Sequence, residues 1–318
     1  MRSLLLALVV LAVAAAPASA TFAGKNGRIV VASNRTGSWQ LHSVRPDGTG
    51  ITQITSLPTS DPASTGNAFL PDVSPDGRRI VFSHDVGGDV ELFVVNVDGT
   101  GLTRLTYDPG RFDGAAHWSP DGTTLVFGRE SDQTHLNVIA TMAAMPGAPI
   151  HELTTNIWDS FFPEYTPDGR RIMFDSQIGG LVAAIWVMDA DGSHQRRLTD
   201  APIEAGFSDI APDGKRVAFI NHQNTSLRTS IFSMKVDGSA IARLTNAGPL
   251  HDVQPVYSPN GNKIAFVSDR LSSTDEHDQD LYVMNADGTH ITRVVTGLTV
   301  GGCPEDDNCV NPDWGAAP

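Results

Sequence analysis

From Arg28 onward, apolar residues come in short runs rich in β-branched and aromatic side chains, each broken by a polar turn. Arg79-Ile80-Val81-Phe82, Leu92-Phe93-Val94-Val95 and Ile185-Trp186-Val187-Met188 are examples. Beyond the N-terminus no stretch sustains a helical period, so the pattern predicts strands throughout. The turns are of two kinds. One ends at Gly27, Gly77, Gly122, Gly169, Gly214 and Gly261, most often as Pro-Asp-Gly; the other ends at Gly48, Gly99, Gly147, Gly192, Gly238 and Gly288. Proline presets φ for the first corner, aspartate bonds the backbone locally, and glycine takes the positive φ that follows, so such tripeptides connect hairpins.

Both series have six members, at intervals of about 45 to 50 residues. A third marker trails each second turn: Ile54-Thr55, Leu105-Thr106, Leu153-Thr154, Leu198-Thr199, Leu244-Thr245 and, more loosely, Val295-Thr296. A unit of this length with about four strands is the mark of a β-propeller blade. The predicted fold is therefore all-β, a six-bladed propeller of four-stranded antiparallel blades. Lys25-Asn26-Gly27-Arg28-Ile29-Val30 has a turn and second strand with no first strand before it, and Val310-Asn311-Pro312-Asp313-Trp314 is a first strand with no turn after it. The two ends are expected to complete one blade, which closes the ring and removes free sheet edges.

Residues 1–20 read as a signal peptide: Arg2 supplies the positive start, Leu4 to Ala16 the apolar run, and Ala18-Ser19-Ala20 the small residues before a cut expected after Ala20. The propeller then takes up residues 21–318, about 50 residues per blade, and the protein is expected to be secreted or periplasmic and monomeric. No later segment is long and apolar enough for a membrane helix. A formal charge of -14 with no cluster of Lys and Arg excludes a nucleic-acid surface. In an exported chain Cys303 and Cys309 are most simply a local disulfide, worth roughly 2 kcal/mol for so short a loop; a metal-binding or redox pair is the alternative reading.

His117-Trp118-Ser119-Pro120-Asp121-Gly122, and the sixth unit with Asp252-Val253-Gln254-Pro255-Val256-Tyr257-Ser258-Pro259-Asn260-Gly261, Ser268-Asp269-Arg270 and Tyr282-Val283-Met284-Asn285-Ala286-Asp287-Gly288, resemble the PD40, or WD40-like, repeat of TolB-type six-bladed propellers. The resemblance covers about residues 24 to 315. In that family the propeller follows an N-terminal α/β domain and docks a peptidoglycan-associated lipoprotein; here the first blade begins close to the expected cut, so the companion domain is not expected. Related propellers precede the catalytic domain of prolyl-oligopeptidase-like serine peptidases, but Gly206-Phe207-Ser208-Asp209-Ile210 lacks the final glycine of a nucleophile elbow.

The resemblance implies that the Gly turns share one face of the ring and that the more variable loops gather on the other. That variable face is expected to carry the binding candidates His84, Asp113, His117, Trp158, Asp159, Glu204, His222, His251 and Asp252, beside Asp85, Arg129, Glu130, Asp175, Asp209, Asp269 and Arg270. Histidines and carboxylates at a channel mouth could also hold a divalent cation or act as acid and base, and some propellers acting on uronate sugars use a metal held by His and Gln. No tight ligand spacing is present here. Asp275-Glu276-His277-Asp278-Gln279-Asp280 lacks the glycine and terminal glutamate of a calcium loop. Phe69, Phe112, Phe161, Phe162 and Phe207 are expected to pack between blades, and Trp158 to stand apart as a candidate contact. Asn34-Arg35-Thr36 and Asn224-Thr225-Ser226 match glycosylation acceptors. The expected function is a non-catalytic exported binding module for a protein or cell-envelope ligand, with no cofactor and no catalytic residues; the alternative is a metal-assisted carbohydrate hydrolase or lyase.

Overall fold

A computed structural model describes residues 23–57, 66–130, 135–155, 159–177, 183–200, 203–222, 229–246, 251–270, 279–299 and 310–318, and, for His222, the backbone alone. The described residues form six four-stranded antiparallel sheets. Blade one joins β24 (Pro312–Ala316), β1 (Asn26–Ser33), β2 (Gln40–Val44) and β3 (Thr52–Gln53). Blade two runs β4 (Ala68–Val73), β5 (Arg79–Val86), β6 (Asp89–Asn96) and β7 (Thr103–Arg104), and blade three β8 (Asp113–Trp118), β9 (Thr124–Glu130), β10 (Asn137–Ala143) and β11 (Ile150–Glu152). Blade four is β12 (Ser160–Tyr165), β13 (Arg171–Ser176), β14 (Ala184–Asp189) and β15 (Arg196–Arg197). Blade five is β16 (Glu204–Ile210), β17 (Arg216–His222), β18 (Thr229–Lys235) and β19 (Ala242–Arg243), and blade six β20 (Asp252–Tyr257), β21 (Lys263–Ser268), β22 (Asp280–Asn285) and β23 (Thr292–Val295).

The three sequence markers each do a separate job. In the first turn of blade two, Gly77 donates its N–H to Ser74 O at 2.8 Å while the Ser74 hydroxyl donates to Asp76 Oδ1 at 2.6 Å. In the second turn glycine is required twice over. Gly192 has a φ of +87°, and a Cβ there would lie 2.7 Å from Leu153 O of the preceding blade. The third marker explains itself through its threonine. Thr55, Thr106, Thr154, Thr199 and Thr245 are buried, and their hydroxyls accept the N–H groups of Leu41, Leu92, Ile139, Ile185 and Ile231 at 2.9 to 3.0 Å. Each satisfies a buried donor on the third strand that the two- or three-residue outer strand is too short to reach. Blade six departs from the sequence reading. Its outer strand β23 has four residues, Thr296 is exposed, and the buried pair Leu298-Thr299 takes the marker's place, with Thr299 accepting from Gln279 N at 3.0 Å.

Ring closure is as the sequence predicts. β24 pairs with β1, Ile29 lying opposite Trp314 and Val30 opposite Asp313. Trp314 is 3% exposed and shares a core cluster with Ile29, Val31, Val44, Val253, Leu281 and Leu298, so residues from both chain ends and from blade six form one apolar seam. Burying these groups together is the main favourable term holding the ends in place.

Candidate functional site

The site is built by an irregularity that repeats. In β4, β8, β12, β16 and β20 the pairing register shifts, and Leu70, Ala115, Phe162, Phe207 and Gln254 take φ values of 48° to 52°. Such a conformation costs a non-glycine residue of order 1–3 kcal/mol, and the bulge it makes re-aims the side chains after it. Two residues further on, each inner strand presents one residue at an equivalent position: Asp72, His117, Glu164, Asp209 and Val256, with Asp313 at the matching position of β24. His117, Asp209, Val256 and Asp313 line a cavity on the ring axis, together with Leu70, Ala115, Phe162, Phe207, Ser208, Gln254 and Asn311.

Each carboxylate at the inner position is tied to the next blade. Asp313 Oδ2 accepts Val73 N–H at 2.8 Å, Asp72 Oδ2 accepts Trp118 N–H at 2.8 Å, Glu164 Oε2 accepts Ile210 N–H at 3.0 Å and Asp209 Oδ2 accepts Tyr257 N–H at 2.7 Å. His117 adds a contact of 3.4 Å from Nδ1 to Asp72 Oδ1, and about a third of its side chain is exposed. Burial raises the Asp209 carboxyl to about 7, against the pull of Tyr257 N–H and His117. Burial likewise lifts Asp313 well above the carboxylate range, with Asp72 adding to the effect. For His117 burial opposes protonation, yet Asp72, Asp313 and Asp209 outweigh it and raise the imidazole above its ordinary value. The lip above this floor carries two aromatic rings, Phe162 and Phe207, 4.4 Å apart. Phe207 is held by its own N–H, which donates to Asp175 Oδ2 at 2.7 Å; burial pushes that carboxyl up to about 8.

The strand registers put most of the predicted candidates at the end of the ring away from the Pro-Asp-Gly turns, whereas His117, opposite Val126 and two residues before the turn that starts at Ser119, lies nearer the turn end than expected. Asp113 lies opposite Arg129, Glu204 opposite His222, Asp252 opposite Ser268 and Ala68 opposite His84, while Asp159 and His251 directly precede β12 and β20. They do not share one cavity. Asp113 is buried and receives both its bonds from Arg129 Nη1 at 3.0 Å; Asp252 is fully buried and held by Arg270 Nη2 at 2.6 Å through both oxygens. His84 is buried against Phe93, its Nδ1 2.8 Å from Asn67 O, and burial lowers its pKa. Asp159 Oδ1 accepts Asn137 N–H at 2.9 Å, and His251 donates its backbone N–H to Asp269 Oδ1 at 2.8 Å. Among the described residues expected on the variable face, His117 and Asp209 line the axial cavity. Trp158, the side chain of His222, Cys303, Cys309, residues 1–20, Asn224 and Asp275–Asp278 lie outside the described residues. Sequence reasoning passed over Asp72, Glu164 and Asp313. Their signal is the residue before the aromatic or aliphatic position that ends each inner strand, in five blades two residues ahead of an x-Pro-Asp/Asn-Gly turn, and it reads Asp72, His117, Glu164, Asp209, Val256 and Asp313 around the ring.

Among the described residues no group of three or more His, Cys, Asp or Glu converges to hold a metal ion. What the arrangement offers is a closed ring with an acidic floor, an aromatic lip and no lysine or arginine among the lining residues.

A bladed ring with four strands per unit and an axial polar channel defines a six-bladed β-propeller. Residues 130–270 match the PD40 model, described as the TolB beta propeller domain. The sequence likeness to the TolB propeller domain thus covers the middle of the chain, while the six four-stranded sheets of the described residues carry the same architecture to both ends. It is 28% identical over 224 residues to an uncharacterized protein of Agrobacterium fabrum, covering 66% of this chain and 74% of that one. It is 27% identical over 217 residues to the Tol-Pal system protein TolB of Francisella tularensis subsp. holarctica, covering 66% of this chain but only 46% of that protein. Among solved structures, TolB from Acinetobacter baumannii matches with a TM-score of 0.71 at 21% identity over 93% of this chain and 67% of that chain. Oligogalacturonate lyase from Vibrio parahaemolyticus matches with a TM-score of 0.59 at 14% identity over 90% of this chain and 80% of that one. These two likenesses are of fold.

Proposed function

We propose that the protein is an exported, non-catalytic propeller that binds a protein or other cell-envelope ligand at the mouth of its axial channel. The observation that carries this reading is the contrast between the two ends of one symmetric scaffold. The turns repeat nearly the same Asp-Gly chemistry around the ring, whereas the lip positions read Leu70, Ala115, Phe162, Phe207, Gln254 and Asn311. Fold maintenance has no use for such variety at equivalent backbone positions; selection of an asymmetric ligand does. In this reading His117 lies within the mouth, Asp159, Glu204, His251, His84, Asp113 and Asp252 belong to the surface around it, and Trp158 and His222 are further proposed contacts of the ligand. Export by residues 1–20, cleavage after Ala20, a Cys303–Cys309 disulfide, a periplasmic or secreted location and a monomeric state belong to the same proposal. The relatives named as Tol-Pal system proteins support the choice of an envelope ligand. The metal-assisted carbohydrate hydrolase or lyase has only a likeness of fold behind it.

The test compares capture from a cell-envelope fraction by the mature protein and two double variants. Phe162→Ala/Phe207→Ala strips the lip and is expected to reduce capture at least tenfold, the loss typical of two contact anchors. Asp98→Lys/Asp287→Lys alters exposed residues of the second turns and is expected to leave capture intact. Equal loss in both variants, or full capture by the lip variant while it remains folded, would sink the reading.

A further inference from the structure

The inner ring carries a feature that ligand binding at the lip does not require. One imidazole stands among carboxylates contributed by other blades, in a cavity whose lining holds no lysine or arginine. Each inner strand's contribution can be stated. β4 gives Asp72, at 3.4 Å from His117; β16 gives Asp209; β24 gives Asp313; all three act on the imidazole electrostatically. β12 gives Glu164, whose carboxylate is bonded to Ile210 N–H. β20 gives the uncharged Val256, and on β9 the residue opposite His117 is Val126. Every carboxylate in the set has one oxygen fixed by a backbone N–H of the following blade, so none can swing out to water without breaking an inter-blade bond.

We propose that His117, Asp209 and Asp313, gathered in the channel beside Asp72, form a proton-operated charge switch, holding extra protons in acid and releasing them as the medium turns alkaline, so that the channel floor changes charge around neutrality. Like charges fixed close together in a poorly solvated channel cannot all ionise at once, and a proton on the imidazole offsets them. The raised carboxyls of Asp209, at about 7, and Asp313 agree with this, as does the raised imidazole. All three shifts have one sign. The folded ring binds more protons than the unfolded chain, so acidification favours the closed, less negative floor. The inference does not depend on what the mouth binds.

The experiment follows the imidazole of His117 in the full-length folded chain by NMR between about pH 5 and 9, a range spanning the free imidazole value of about 6.5. Its signal is assigned by its loss in His117→Gln. Should that variant fail to fold, Asp72→Asn keeps the imidazole and moves the signal of its 3.4 Å neighbour. The wild-type midpoint is expected above the free value, and Asp209→Asn/Asp313→Asn is expected to lower it. Asp175→Asn, whose carboxyl is bonded to Phe207 N–H outside the ring, is expected to leave it in place. A wild-type midpoint at or below about 6.5 overturns the proposal, and so does a midpoint that ignores the loss of Asp209 and Asp313 or follows the loss of Asp175 equally.

Discussion

Trp314→Ala tests ring closure at its most loaded point. The indole is 3% exposed, lies opposite Ile29 across the junction of the two chain ends, and packs in a cluster that also takes residues from blade six. A tryptophan buries about 150–250 Å², which at about 25 cal/mol per Å² is worth roughly 4–6 kcal/mol; measured Trp→Ala losses in cores of about 3–5 kcal/mol fall in line. For a domain of this size each kcal/mol shifts the melting temperature by about 2–4 °C, so calorimetry should show a fall on the order of 10 °C. Two further variants separate closure from general core damage. Trp314→Phe keeps most of the apolar contact and removes an indole N–H that has no acceptor among the described residues, so it should cost far less than the alanine. Ile29→Ala combined with Trp314→Ala should fall short of the sum of the single losses by about 0.5–3 kcal/mol, since the two side chains share one seam. A Trp314→Ala protein that melts within about 2 °C of wild type, or strict additivity with Ile29→Ala, would refute the reasoning.

Two further outcomes are expected. Gly192→Ala should destabilise by roughly 2–4 kcal/mol, because the new Cβ meets Leu153 O at 2.7 Å at a φ of +87°, whereas Gly147→Ala, with open space at a φ of +65°, should cost about 1 kcal/mol; urea midpoints decide whether the two differ. Asp175 is lifted from 3.8 to about 8 by burial, so the folded chain keeps a proton that the unfolded chain loses. Stability should therefore fall as pH rises from about 4 to about 8, with the loss complete above that. Asp175→Asn should remove on the order of 2 kcal/mol of the difference between pH 6 and pH 8.5, and an unchanged difference counts against a protonated Asp175.

How much the chain discloses unaided depends on whether a residue serves one blade or several. The turn glycines, the Leu-Thr markers and the alternating runs act within a blade or between one blade and the next, so each recurs and is readable six times over. Asp72, Glu164, Asp209 and Asp313 occupy the one position of the inner-strand motif that has no fixed identity, and no single repeat says that they matter. Their convergence requires the bulge at Leu70, Phe162 and Phe207 and closure of the ring through Trp314, both products of tertiary structure. The same gap explains why Asp113 and Asp252 read as exposed binding candidates: their partners Arg129 and Arg270 stand 16 and 18 residues downstream, and only strand pairing brings each guanidinium onto its carboxylate. The Val295-Thr296 reading of the sixth marker went astray because β23 runs two residues longer than most outer strands, moving the buried threonine to Thr299.

The carboxylate ties on the channel side run in one rotational sense, from blade one to two, two to three, four to five and five to six. At the two remaining junctions the equivalent residues are His117 and Val256, which offer no carboxylate to Tyr165 or Trp314. These junctions face each other across the axis. On the channel side the circle is thus a pair of three-blade arcs, each tied internally by carboxylates, while the two junctions between the arcs are bridged elsewhere, by Asn137 N–H to Asp159 Oδ1 at 2.9 Å and by the Ser33 hydroxyl to Leu298 O at 2.6 Å. The difference should show locally: amide exchange at Tyr165 and Trp314, which lack the carboxylate tie, should run ahead of that at Val73, Trp118, Ile210 and Tyr257.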